Sequence, residues 1–183
     1  MNFCSNCSTE TIRRIPEGDN RLRDLCEECG SIHYQNPKII AGCVVLKDQK
    51  VLLCKRAIEP KYGLWTLPAG FMENGETVAQ AALRETWEEA RSTPNLDRLY
   101  VVSSIPSISQ VYMLYLAFMN EEKFESGPES LETKLFQLDD IPWDELAFHT
   151  VRDALKCLIS DLEKGTFRLH CIDREEAPLT KVI

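Results

Sequence analysis

Between positions 70 and 89 the chain reads GFMENGETVAQAALRETWEE, which sets Gly70, Glu76, Arg84, Glu85, Glu88 and Glu89 at fixed separations. Carboxylates gathered this closely suit a hard divalent cation. Mg²⁺ and Mn²⁺ take oxygen ligands and are commonly shared between carboxylates and substrate phosphates. The chemistry this implies is metal-assisted cleavage of a phosphate-containing substrate.

A helix must position these groups. Gly75-Glu76-Thr77 reads as a turn, with Thr77 as N-cap and Gln80 completing a capping box. From Val78 to Arg91 there is no Gly or Pro, and Ala, Leu, Arg and Glu dominate. At about 100° per residue, Glu85 and Glu89 share one face and Glu88 lies at its edge. Val78, Ala81 and Ala82 lie behind the acids, small enough to admit another segment. Leu83, Trp87 and Ala90 are expected on the opposite, core-facing side. Like charges four apart weaken a helix, as do acids in its C-terminal half; a bound cation offsets both. A solvated face with Arg84 paired to Glu88 would carry the same acids, but the glycine-loop-glutamate lead-in argues for a site.

A second constellation opens the chain. Cys4-Ser-Asn-Cys7 and Cys26-Glu-Glu-Cys29 are CxxC pairs separated by 18 residues, the spacing of a four-thiolate zinc site. Gly30 suits the tight turn of a zinc knuckle, and Ser8 stands where the first knuckle often has glycine. Cys43, Cys54, Cys157 and Cys171 lie in apolar or helical contexts and read as packed thiols.

Composition bounds the class. A chain of 183 residues with 44% apolar content provides one core and a small appendage. The net charge of -8 argues against a general nucleic-acid or membrane binder. No signal core or membrane span is visible, and thiol-rich zinc chemistry implies a reducing compartment, cytoplasmic or the interior of an organelle.

Residues 1–35 read as a zinc ribbon that needs metal to fold. Residues 36–172 form the main domain and 173–183 a tail. Strands are expected at 39–46 and 51–55, joined by the turn 47–50, and at 99–104, 111–119, 134–138 and 167–170. A second helix is expected to start near Trp143 or Thr150 and to end at Lys164. This mixture gives an α+β fold with a mixed sheet between helices.

The 70–89 motif resembles the Nudix box, G-x5-E-x7-R-E-U-x-E-E-x-G-U, where U is aliphatic. The match runs from Gly70 to Glu89. Thr86 then replaces the first aliphatic residue, Arg91 the glycine and Ser92 the last apolar position, so Pro94 and Asn95 are candidates to end the helix. The resemblance extends through HYQNPK (33–38), GLWTLPAGFMENGE (63–76), GPESLE (127–132) and DDIPWDELAF (139–148). It is similar to Nudix hydrolases that carry a zinc ribbon, and within them to the FAD and ADP-ribose pyrophosphohydrolases. The SQPWPFPxS segment of the NADH pyrophosphatase group is absent.

This resemblance implies a Nudix α/β/α sandwich and a set of roles. Glu85 and Glu89 would bind Mg²⁺ or Mn²⁺ directly and Glu88 would ligate a metal or orient water, with the Ala69 carbonyl as a further oxygen ligand. Glu132 would complete the metal site or act as base, with Glu129 the second candidate. Arg84 would orient a glutamate; Glu76 would hold the loop and Gly70 a backbone conformation closed to other residues. Tyr34, Tyr112 and Trp65 are candidates to stack on a substrate ring, and core packing is the competing reading of each. FAD, cleaved to AMP and FMN, leads as substrate, with ADP-ribose close behind. NADH and NAD-capped RNA are alternatives, as is a nucleotide-sensing regulator with a nucleic-acid-binding ribbon. The family pattern also implies a homodimer.

Overall fold

The computed structural model describes residues 1–174 and divides into two compact units, Met1–Asn36 and one that begins at Pro37; the expected tail lies outside the described residues but for 173 and 174, and Asp173 belongs to the last strand. In the first, β1 (Ile12–Arg14), β2 (Arg23–Leu25) and β3 (Ile32–His33) form a three-stranded antiparallel sheet. The two cysteine knuckles have the same backbone form. The Ser8 amide donates to the Cys4 carbonyl and the Gly30 amide to that of Cys26, each at 2.9 Å. Both Ser8 (φ 63°) and Gly30 (φ 71°) are left-handed, so Ser8 does the work of a glycine at the usual cost of that conformation.

The second unit is built on β4 (Lys38–Lys47), β5 (Lys50–Arg56), β6 (Trp65–Thr66), β7 (Ala69–Phe71), α1 (Val78–Ala90), β8 (Asn95–Ile105), β9 (Gln110–Phe118), β10 (Ser130–Gln137), α2 (His149–Lys164) and β11 (His170–Asp173). The main sheet runs β10-β5-β4-β9-β8-β11, with β6 paired to β5 and β7 to β4. It is mixed: β4 lies parallel to β9 and β8 to β11, while the other pairings are antiparallel.

Alternation along the central strands decides which helix covers which face. Cys43 and Val45 of β4, with Leu52 and Cys54 of β5, pack with Ala81, Ala82 and Ala90 of α1. Val44 and Leu46, with Val51 and Leu53, pack with Leu155 and Leu158 of α2. Successive residues of a strand point to opposite faces, so near-continuous apolar strands become the middle layer of an α/β/α sandwich. The last strand begins at His170, three residues beyond the expected start, because pairing with β8 sets its place. No helix among the described residues is long and apolar enough to cross a membrane.

Candidate active site

The seat of α1 fixes the acids. Thr77 caps the helix, its hydroxyl accepting from the Gln80 amide at 3.2 Å while the Gln80 side chain accepts from the Thr77 amide at 2.8 Å. The face turned to the sheet is Ala81, Ala82, Glu85, Thr86, Glu89 and Ala90. The expectation that Leu83 and Trp87 pack inward is therefore corrected: Leu83 is half-buried and Trp87 is 47% exposed. A Trp-sized ring has no room where glycines approach the helix. A Cβ on Gly70 would lie 2.4 Å from a Glu85 carboxylate oxygen, and one on Gly127 would lie 1.7 Å from the Glu88 carbonyl. Gly70 does not have a positive φ, so its requirement is this clearance, not a special backbone conformation.

Thr86 fits an aliphatic position because its hydroxyl donates to the Ala82 carbonyl at 2.7 Å. Arg91, not Pro94 or Asn95, ends the helix: it is left-handed (φ 50°) and its amide donates to the Trp87 carbonyl. The loop before β10 covers the remaining carbonyls, with the Glu125 amide on Ala90 at 2.9 Å and the Gly127 amide on Glu89 at 3.0 Å. Ser92 is buried, and its hydroxyl has no hydrogen-bond partner among the described residues.

Arg84 organises the carboxylates. It holds Glu76 through two hydrogen bonds of 3.0 and 2.8 Å, Glu85 at 2.6 Å and Glu88 at 3.2 Å. Glu76 also accepts from the Glu73 amide at 2.6 Å, tying the loop to the helix. The Arg84 hydrogen bonds draw Glu76 down to about 2. Glu89 is buried and accepts from the Ala69 amide at 3.2 Å. Burial, reinforced by Glu85, pushes it up to about 8, and burial also raises Glu85.

Glu85, Glu88, Glu89 and Ala69 line one cavity of about 1100 Å³, together with Glu129, Arg56, Tyr112 and Phe148. Glu129 is the distal glutamate brought to this space. Glu132 is exposed on β10 and lies outside the lining, because the approach of Gly127 to α1 carries Glu129 toward the helix. Tyr34 is 60% exposed in the first unit, under the Arg23 guanidinium, and is absent from the lining. Trp65 is 5% exposed and meets Phe136 edge-on at 4.8 Å, a core residue. Sequence reasoning missed Arg56, whose guanidinium donates to the Pro60 carbonyl at 2.8 Å and lies 5.2 Å from the Phe148 ring centre. Its signal was the pair of cations, Lys55 and Arg56, that closes the apolar run of β5.

The donor sets fit two kinds of metal. Cys4, Cys7, Cys26 and Cys29 place their sulfurs within 4.8 Å of one another, with Cys4–Cys29 at 3.6 Å and Cys7–Cys26 at 3.4 Å. Tetrahedral zinc with sulfurs at about 2.3 Å needs separations of roughly 3.8 Å. The glutamates line a shared space without meeting at a point. A buried carboxylate beside a second one, held by a single amide, is nonetheless a site a cation relieves, and Mg²⁺ typically completes its shell with water and substrate phosphates.

The sandwich and this acid-lined cavity define a Nudix hydrolase. The NUDIX domain family matches residues 36–156, the zinc-ribbon family described as Nudix N-terminal matches residues 2–35, and the chain belongs to the Nudix family. A NUDIX hydrolase from Nitrosomonas europaea superposes with a TM-score of 0.89 at 51% identity, covering 95% of this chain and 100% of that one. ADP-ribose pyrophosphatase of Methanocaldococcus jannaschii is 32% identical over 119 residues, 63% of this chain and 69% of that protein. The NAD-capped RNA hydrolase NudC of Vibrio vulnificus is 30% identical over 145 residues, 78% of this chain, which spans about half (53%) of that relative.

Proposed function

We propose that this chain hydrolyses the diphosphate bond of compounds that link ADP to a second moiety, with ADP-ribose, NADH and FAD as the substrate set. The observation that carries the reading is the joining of Glu85, Glu88, Glu89 and Glu129 in one cavity large enough for a dinucleotide. The relative named for ADP-ribose supports placing that compound first. FAD rests on the whole-chain resemblance, and the NudC relative supports NADH or an NAD cap.

Glu85 and Glu89 would hold Mg²⁺ or Mn²⁺, with Glu88 and the Ala69 carbonyl as further candidate ligands. Bound there, the metal supplies charge neutralisation at the phosphates and a lowered pKa for water. Glu129 is better placed than Glu132 to accept the proton of the attacking water, since general-base work needs hydrogen-bond reach. Water oxygen bonds to one phosphorus as the bridging P–O bond breaks, and AMP leaves with the bridging oxygen or receives the water oxygen. Arg56 lines the same cavity as the acids and would offer a guanidinium to a phosphate. Arg84 fixes Glu85 and Glu88, and no covalent protein nucleophile is required.

A regulator that only senses nucleotide has no need of Glu85, Glu88 and Glu89 together. The test is turnover of ADP-ribose, NADH, FAD and an NAD-capped oligonucleotide with Mg²⁺ or Mn²⁺, with products separated by chromatography. The Glu89→Gln protein should lose about 10²- to 10⁴-fold in kcat. Full activity in that variant would remove Glu89 from the site, and tight binding without turnover by the wild type would favour the sensor.

A further inference from the structure

The outer surface of α1 carries a feature that the acid chemistry does not use. Arg84, Trp87, Glu88 and Arg91 recur at spacings of three and four and so share a stripe, and all four line the cavity. Trp87 leaves a large ring half in water beside the exposed carboxylate of Glu88. The Arg91 guanidinium lies 5.3 Å from its ring centre, held there from a left-handed backbone that disfavours a residue of this kind. Position 91 is where the Nudix box has glycine, so this chain accepts a strained C-cap and gains a cation against the tryptophan.

The other aromatic groups of the cavity are on different elements. Phe71 is on β7, Tyr112 is on β9 and Phe148 immediately precedes α2. Glu85 and Glu89 lie on the sheet side of α1 and Glu88 on the outer stripe beside Trp87, so the acids run from the buried face of the helix out to that ring. Resting on the hydrolase reading above, we infer that Trp87, backed by Arg91, is the stacking platform for the non-adenosine ring of a dinucleotide substrate. Stacking on an exposed aromatic face tolerates many flat rings. A nicotinamide or isoalloxazine gains it, and the ribose end of ADP-ribose does not. Trp87 is thus a specificity determinant within the acid-lined cavity.

Steady-state kinetics test this with wild type, Trp87→Ala, Trp87→Phe and Arg91→Ala on ADP-ribose, NADH and FAD. A compound that is bound but not cleaved is entered as a competitive inhibitor, its Ki taking the place of KM. Trp87→Ala should raise the KM of NADH and FAD relative to that of ADP-ribose by about 5- to 30-fold. Trp87→Phe should restore most of the difference, and Arg91→Ala should fall between. An unfolding midpoint equal to wild type shows that a surface contact was removed. An unchanged ratio, or a wild type that engages ADP-ribose alone, overturns the subsite and leaves the hydrolase reading standing. A wild type that cleaves none of the three overturns that reading and the subsite with it.

Discussion

Glu85 keeps its carboxylate where Gly70 leaves room for it. The clearance is so small that adding one methyl group tests the whole arrangement. Gly70→Ala should displace the Glu85 carboxylate and lower kcat by about 10- to 100-fold, since small misplacements at a reacting centre are costly. Circular dichroism should show an intact fold, because the clash falls on a side-chain end and not on backbone. Glu85, Glu88 and Glu89 were readable from spacing alone, because a helix converts sequence separation into angle. That Glu129 lines the cavity and Glu132 does not was not readable: it depends on where Gly127 meets α1, a contact between segments far apart in the chain. Trp87 misled the reading because the face of α1 that meets the sheet is small and acidic, so hydrophobicity points to the wrong side.

Elements with strong local patterns were legible in full. The β4–β5 hairpin, the capped start of α1 and the body of α2 follow from alternation, capping chemistry and helical period. The strands of two or three residues, β6 and β7 among them, have no period to read and exist through their partners. The last strand, of four residues, is likewise placed by its partner, and its anchor is a buried aspartate. Asp161 is 1% exposed and accepts from Tyr100 at 3.1 Å, from the Arg168 amide at 3.2 Å and from His170, the first residue of β11, at 2.8 Å. Burial alone would raise this carboxyl, but the hydrogen bonds from His170, Arg168 and Tyr100 outweigh it and hold it low. A depressed pKa gives stability that is present above the unfolded value of about 3.9 and lost as pH falls through the folded value. Asp161→Asn should therefore cost about 2–4 kcal/mol near neutrality in urea unfolding. It should also flatten the decline in stability below about pH 4.

The whole molecule joins a small unit with four convergent thiols to one that carries its own core. Neither core cluster of the second unit includes a residue before Ile40, whereas the first offers a small sheet and four convergent thiols. Metal analysis should find about one zinc per chain, and Cys26→Ser should abolish it. Chelation under reducing conditions should unfold the first unit while the main thermal transition persists. Loss of both together would show that the second unit depends on the ribbon. Composition points to a compact acidic domain with an appendage, and the two units follow that division.

The chain has three tryptophans, and their surroundings differ sharply: Trp65 is in the core, Trp143 is half-buried and Trp87 faces solvent. Intrinsic fluorescence should accordingly contain one red-shifted emitter that acrylamide quenches readily. Trp87→Phe should delete that component and leave a blue-shifted spectrum. A flavin or reduced nicotinamide arriving in the cavity would absorb at the emission wavelengths of that ring, so the protein carries a built-in optical gauge of occupancy that requires no added dye.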